Sequence, residues 1–526
     1  LLRIKVAARQ SCHAGRTKRR TFECAGLRWQ EPGRSVRGTG DVVSEAAGKS
    51  TGWRGWNPGP GDAAWPWPDP MRALGLAWDL TRSAWLAPAD LQRLAERRWR
   101  FLVEYACLHS PFYRELYGSN AEMMSARLQD LPIVTKKMLM RDFDRVVTDP
   151  SVTLAGVRAF LADPQRVGAP FAASHAVWAS SGTSGEPGIF VHDRQALAIY
   201  DALQLLRFRG ATAGVDGMPL PFGMERFALV AATGGHFAGA ASVERLRRLV
   251  PWLAGSMRVF SLMQPLAELV AALNEFAPDV LATYPTVAAQ LAAEQEAGRL
   301  RIAPKQIWTG GECLSAATRD RVARTFASVV REEYGASEFA SIAVGCTAGW
   351  LHVNADWALL EPVDAAGRPV PPGRPSHTVL LTNLANRVQP LIRYDLGDSI
   401  TLRTQPCPCG NRMPAIRVQG RRDDQLELAG HGGLRVVLLP LVLVTVLEEG
   451  ADVYDFQLVQ TGSRALHLRL APQESPKAPA ALHALREFLR EQGLDEVAVE
   501  LEAQVPRRAS GGAKLRRILL GAQSDS

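Results

Sequence analysis

The chain has 526 residues, 47% of them hydrophobic and 22% charged, with a formal net charge of +8. That length accommodates two or more domains, and the composition is that of an ordinary globular protein. The charge is uneven: residues 1–70 hold 12 Lys/Arg against 6 Asp/Glu, so the rest of the chain carries only +2. A nearly neutral body gives no reason to expect nucleic acid as a partner.

Residues 1–70 are dense in Arg, Gly and Trp, lack a sustained apolar period and end in the turn-rich "NPGPGDAAWPWPDP". They read as a disordered extension, with a basic targeting tail as the alternative; no apolar core or cleavage pattern of a signal peptide is present. From Met71 to about 130 the pattern is helical, with Leu91, Leu94, Trp99, Leu102 and Tyr105 near a helical period. From about 170 short apolar runs alternate with amphipathic helices. "AVWA" (176–179), "IFVHD" (189–193), "FALVAAT" (227–233), "DVLATYP" (279–285), "QIWTGGE" (306–312) and "HTVLLTNL" (377–384) read as strands, and 194–206 and 315–327 as helices. This alternation predicts an α/β domain over 71–420. A second unit is expected over 421–526: strands at 453–460, 465–471 and 496–502, with a helix at 478–493, make a small α+β domain behind the polar join "VQGRRDDQ". The longest apolar run, "VVLLPLVLVTVL" (436–447), contains Pro440 and falls short of the ~20 residues a membrane span needs. The seven cysteines are scattered, which argues against a disulfide framework. A cytoplasmic protein without a membrane span is expected, its oligomeric state left open, a dimer included.

"SSGTSGEPG" (180–188) offers small hydroxyls and backbone N–H groups but no side chains for a core. Gly-rich loops of this kind cradle phosphates because no Cβ blocks the approach to the amides. The loop joins two strands and no Lys follows its last glycine, which sets it apart from the Walker type. Taken alone it is equally a solvated turn.

Five segments in order give it a context: "SSGTSGEPG", "TGGECLS" (309–315), "YGASE" (334–338), "RYDLGD" (393–398) and "GRRDD" (420–424). Together with "SPFYRELY" (110–117) and "LPIVTKKML" (131–139), they resemble the adenylate-forming superfamily, in particular its phenylacetate–CoA ligase and coenzyme F390 synthetase-like branch, over roughly 90–520. The resemblance implies ATP, Mg²⁺ and coenzyme A as cofactors and a small carboxylic acid as substrate. It implies that Ser181, Gly182, Thr183, Ser184 and Gly185 hold the β- and γ-phosphates, and that Glu338 holds Mg²⁺. Tyr334, with Gly335 beside it, would stack on adenine against a face formed by Gly311 and Glu312. Asp398 would accept the ribose hydroxyls with Arg421 nearby, although an ordinary turn acid fits "LGDS" as well. Lys514, Glu338 and Arg393 form the implied catalytic set, and Asp423 the hinge. Two departures stand out. Many members of the superfamily end the first loop with Lys where this chain has Gly188, and "GGAK" (511–514) separates Gly from Lys514 by Ala513. The stretches "YPT" (284–286) and "GGHFAGA" (234–240) are expected to line the acyl pocket, His236 being either a carboxylate contact or a structural residue.

Cys346 and His352 lie six apart, and Cys407 and Cys409 form "CPCG". Two pairs of this kind supply a tetrahedral Cys₃His set, so a closed, structural Zn²⁺ site is expected; similar residues occur in the branch named above. The leading functional expectation is an AMP-forming acid–CoA ligase. A ligase or adenylyltransferase using an acceptor other than CoA, and a degenerate nucleotide-binding protein without turnover, are the alternatives.

Overall fold

The computed structural model describes residues 70–118, 126–180, 188–208, 225–233, 235–262, 264–421, 424–430, 435–438, 440–506 and 516–521. All of them lie in the compact unit Pro58–Ser526. The expected extension, Pro70 apart, lies outside the described residues, as do Ser181–Gly185, Asp423 and Lys514.

Three helices open the described chain: Pro70–Ser83, Pro88–His109 and Pro111–Tyr117. Leu91, Leu94, Trp99 and Leu102 face the core as their spacing predicts. Ser110 ends one helix and caps the next, its hydroxyl accepting from the Tyr113 amide. A hairpin follows, in which β1 (Ala176–Ala179) and β2 (Ile189–His192) pair antiparallel.

β3 (Phe227–Ala231), β4 (Met257–Ser261), β5 (Val280–Thr283), β6 (Gln306–Gly310) and β7 (Val329–Ala336) form the parallel half of a nine-stranded sheet, in the order β4-β3-β5-β6-β7. Each crossover carries a helix, such as Pro285–Glu296 between β5 and β6 and Ala316–Phe326 between β6 and β7. The all-apolar or small character of "VLAT" in β5 follows from burial on both faces. β8 (Phe339–Gly345) and β9 (Leu351–Val353) continue the sheet antiparallel. β10 (Ala358–Val363), β11 (Thr378–Asn383) and β12 (Tyr394–Asp395) form a separate antiparallel sheet. β13 (Asp398–Leu402) and β14 (Ala415–Arg421) return to the large sheet and complete the order β7-β8-β9-β14-β13.

The helix expected over 194–206 stops at Leu203 and continues as a π turn, Gln204–Phe208. A distant carboxylate anchors this turn. Arg207 in that turn grips fully buried Asp356 with both terminal nitrogens, at 2.7 Å each, and Ser83 donates to the same group at 2.7 Å. The first helix is thereby tied to the body.

Beyond Arg421 a separate hydrophobic core is built only from residues between Leu426 and Ile518. It joins the hairpin β15 (Leu426–Ala429) and β16 (Arg435–Leu438) to a four-stranded sheet of β17 (Phe456–Gly462), β18 (Ala465–Leu470), β19 (Ala498–Glu502) and β20 (Ile518–Leu520), ordered β19-β18-β17-β20. The apolar run at 436–447 is split by Pro440 into β16 and the helix Pro440–Ala451, because proline fits the first turn of a helix and not its interior. No helix among the described residues is long and apolar enough to cross a membrane.

Contact between this layer and the large sheet is largely polar. Glu448, fully buried on the helix Pro440–Ala451, accepts from Ser315 and from Thr318 (2.7 Å) of the helix after β6 and pairs with Arg517. Arg321 lies 4.5 Å over the Tyr454 ring. Replacing Glu448 with Ala leaves the Arg517 cation buried and unpaired, so Glu448→Ala is expected to lower stability by about 3 kcal/mol, read as a shifted midpoint in urea unfolding.

Candidate active site

A cavity of about 410 Å³ opens at the carboxyl ends of β6 and β7, the end of an α/β sheet where ligands bind. Gly311 and Glu312 follow β6. Tyr334 and Gly335 end β7, Glu338 lies in the turn to β8, and Asp398 and Arg421 face each other as register partners of β13 and β14. All seven line this one cavity, although the first and last are 110 residues apart in sequence.

Asp398 joins three strands. Its Oδ2 accepts from the Tyr334 hydroxyl at 2.7 Å, and its Oδ1 lies 3.6 Å from Arg421 Nη1. Glu338 is half-buried, and desolvation pushes its carboxyl above the ordinary range while the Tyr394 hydroxyl donates to it. Gly335 is required by a close approach: a Cβ there would sit 2.0 Å from the Ala340 carbonyl oxygen, which no side chain tolerates. His192 secures the turn to the β1–β2 hairpin through Nε2 and the Ser337 carbonyl (2.9 Å); burial lowers its pKa to about 3, so the ring is neutral and donates. Ser180 closes the neck of the 180–188 loop, its amide donating to the Gly188 carbonyl and its hydroxyl accepting from the Gly188 amide, both at 2.8 Å.

Three of the positions singled out in the sequence do not line this cavity. Arg393 is not in the cavity wall: its guanidinium turns into the protein, donating to the Leu131 carbonyl and to Glu361 at 3.2 Å. Arg393 precedes β12 in a left-handed backbone conformation, and its neighbour Tyr394 lines the cavity instead. The stretch 284–286 does not line the cavity either; Thr286 holds Glu312 Oε2 through its amide (3.2 Å) and hydroxyl (2.8 Å). Glu312 Oε1 is buried without a partner among the described residues. His236 is structural, its Nε2 on the Asp163 carbonyl at 3.1 Å and its ring against Phe160.

The motifs did not single out Lys136, Glu333 and Tyr394 for a role, yet all three line the cavity. Each stood inside a quoted segment or directly beside one, and only the fold shows which of its residues face inward.

Cys346 after β8, His352 on β9, and Cys407 and Cys409 between β13 and β14 converge, with ligand atoms all within 4.8 Å of one another. Cys346 Sγ and Cys407 Sγ lie 3.7 Å apart, and His352 Nε2 and Cys409 Sγ 3.2 Å. His352 Nδ1 donates to the Met413 carbonyl at 2.9 Å, which fixes the tautomer and turns the other ring nitrogen toward the thiols. Three thiols and one imidazole at this spacing fit a tetrahedral soft-ligand metal ion.

No family model matches the sequence. Protein CapK of Staphylococcus aureus is 22% identical over 395 residues, covering 70% of this chain and 76% of that protein. A 2-hydroxyisobutyryl-CoA ligase solved in the postadenylation state with 2-HIB-AMP superposes with a TM-score of 0.62 at 21% identity, over 84% of this chain and 91% of that one. An open conformation of the same ligase, with 2-HIB-AMP and CoA, gives 0.51 at 21% identity over 81% and 91%. The chain therefore has the fold of the adenylate-forming ligases, the superfamily its motifs resemble.

The Glu333 carboxyl is held by the Gln204 amide at 3.2 and 3.3 Å, and burial raises its pKa to about 7. A raised carboxyl favours folding in its neutral form. That contribution is complete below the ordinary glutamate pKa and is lost as pH rises through about 7. Melting wild type and Glu333→Gln side by side from about pH 5 to 8 should show the variant gaining on wild type as pH rises.

Proposed function

We propose that the protein is an AMP-forming acid–CoA ligase. The observation that carries this reading is the convergence of Gly311, Glu312, Tyr334, Glu338, Asp398 and Arg421 on one cavity at the carboxyl ends of β6 and β7. Two balanced steps follow. A carboxylate oxygen of the acid attacks the α-phosphorus of ATP and pyrophosphate leaves; the thiol of CoA then attacks the acyl carbon, loses its proton, and AMP leaves. The motif resemblance favours an aromatic or other hydrophobic acid.

In this reading Asp398 accepts the ribose hydroxyls, held in place by Tyr334 and Arg421. The unpartnered Glu312 Oε1 offers an acceptor on the adenine side. Glu338 suits Mg²⁺, which binds through one or two carboxylates and substrate phosphates and would neutralise charge on the departing pyrophosphate. Lys514 would place a cation between carboxylate and α-phosphate, and Asp423 would be the pivot that withdraws it before thioester formation. The Cys346–His352–Cys407–Cys409 set would hold Zn²⁺ as a closed structural centre clamping the β8–β9 turn to the β13–β14 loop.

Incubation with ATP, Mg²⁺, CoA and a panel of acids, following pyrophosphate, AMP and thioester, tests the whole reading. Thioester with stoichiometric AMP and pyrophosphate is expected. An adenylylated product without thioester would point to another acceptor, and ATP binding with no turnover across the panel to a protein that has lost the chemistry. Lys514→Ala should slow acid-dependent pyrophosphate release by about 100-fold, the scale of one lost charge-stabilising contact, while pre-formed acyl-adenylate and CoA still give thioester near the wild-type rate. Equal slowing of both steps would refute a role confined to the first. Metal analysis should find one zinc per chain, lost with a lowered melting temperature in Cys407→Ser.

A further inference from the structure

The ligase chemistry leaves one acid of the cavity wall without a task. Asp398, Asp424 and Glu332 face Arg421, Arg516 and Arg319, and Glu338 has the Tyr394 hydroxyl. Glu333 lines the same cavity, half-buried, and no described cation pairs with it. Its two oxygens share one neutral donor, the Gln204 amide nitrogen, at 3.2 and 3.3 Å. A carboxylate accepts about four hydrogen bonds, so a single shared amide leaves most of that capacity open. A second unsatisfied group stands beside it. Ser341 on β8 is fully buried, and its hydroxyl, next to the Glu333 carboxyl, closes no hydrogen bond among the described residues. Polar groups withdrawn from water in this way cost free energy unless something pairs with them.

The fold fixes which way this group looks. Glu333 and Tyr334 are consecutive residues of β7, and successive side chains of a strand point to opposite faces. Tyr334 reaches Asp398 on one face, and Glu333 meets Gln204 on the other. Gln204 opens the π turn Gln204–Phe208, a kind of turn that recurs at functional sites. Three residues further along it, Arg207 is locked to Asp356 and, at 2.9 Å, to Asn354. That lock holds Gln204 over β7, so Glu333 is presented to the cavity by a partner that is itself anchored.

On the ligase reading, from which this inference proceeds, the Tyr334–Asp398 face belongs to the nucleoside, and the acid lies elsewhere in the cavity. We propose that Glu333, held by Gln204, is a specificity-determining residue for the acid, and that the preferred substrate carries a hydrogen-bond donor, a hydroxyl or an amino group, on an otherwise hydrophobic skeleton. The donor fills the acceptor capacity that Gln204 leaves open. An acid without one leaves a desolvated carboxyl unsatisfied, and sites built on a buried polar group reject such analogues far more strongly than an apolar pocket rejects a missing methylene. Desolvation raises the Glu333 pKa to about 7, and a donor from the ligand restores the ionised form that desolvation disfavours.

Acid-dependent pyrophosphate release by wild type, Glu333→Met and Glu333→Gln, measured at about pH 8 where the carboxylate prevails, tests it. The acids are matched sets: a hydrophobic parent, and the same parent carrying one hydroxyl or one amino group at successive carbons. For at least one position wild type should favour the substituted acid by about tenfold or more in kcat/KM, the scale of a hydrogen bond to a charged group. Glu333→Met should abolish that preference, chiefly by raising KM for the substituted acid, while kcat for the parent stays within about twofold. Glu333→Gln keeps an acceptor oxygen and should retain part of the preference. The hydroxyl and amino arms tell which donor the site takes. If wild type treats every substituted acid like its parent, or Glu333→Met slows parent and substituted acids by the same factor, the assignment is overturned while the ligase reading stands. If no acid releases pyrophosphate from ATP, the ligase reading falls with it.

Discussion

A buried guanidinium sets the geometry on which the site depends. Arg393 occupies the left-handed region at φ +49°, an unusual conformation for a residue with a side chain. It is held there from three directions: its amide on Thr382 Oγ1 at 3.0 Å, its Nε on Glu361, and a terminal nitrogen on the Leu131 carbonyl. The backbone turn this enforces directs Tyr394 into the cavity and binds the 131–136 segment to the same strand. Without it, neither Glu338 nor the helix Lys136–Arg141 would have a fixed wall to stand on.

The sequence was most legible where structure is local. The runs that became β3, β5, β6 and β11 are short and mostly apolar or small, and the helix Ala316–Phe326 announces itself with the Ser315 cap. The Cys346–His352–Cys407–Cys409 cluster was readable because its two pairs are each close in sequence and chemically unusual. What stayed hidden depended on partners far along the chain. The π turn at Gln204–Phe208 follows from an Arg207–Asp356 contact across 149 positions. The inward turn of Tyr394 rather than Arg393 goes with the left-handed backbone at Arg393 and with its distant partners Glu361 and Leu131. Thr286 appeared to belong to an acyl pocket, yet fixes Glu312, because β5 and β6 are neighbours and their following loops meet.

The layer beyond Arg421 has its own core, which shares no residue with the cores of the large sheet. Its contact through Glu448, Ser315 and Thr318 is a hydrogen-bonded one. Contacts of this kind can be exchanged for water more readily than packed apolar surface, and polar intramolecular interfaces generally permit relative movement. Gly420 sits at the edge of that contact with φ +118°, and a Cβ there would come within 2.9 Å of the Pro440 ring. The chain leaves the large sheet through a position only glycine fills comfortably, directly beneath the helix that roofs the cavity with Pro440 and Val444. These features fit the pivot proposed above between the two steps of the ligase reading.

The charge of the cavity wall completes the physical argument. Among the described residues it carries the carboxylates of Glu312, Glu332, Glu333, Glu338, Asp395, Asp398 and Asp424, against the cations of Lys136, Lys137, Arg421, Arg516 and Arg517. A wall with more acids than bases should repel a nucleotide triphosphate, so the excess has to be used or suppressed. Glu333 is suppressed by burial, which keeps its carboxyl largely neutral below about pH 7. Asp398 and Asp424 are compensated by Arg421 and Arg516, and Glu332 by Arg319 at 2.6 Å. Glu338, at the turn after β7, has a tyrosine hydroxyl as its side-chain donor. A divalent cation brought in by the triphosphate converts that repulsion into attraction. On the ligase reading proposed above, this balance of charge favours the metal complex of ATP over the free nucleotide.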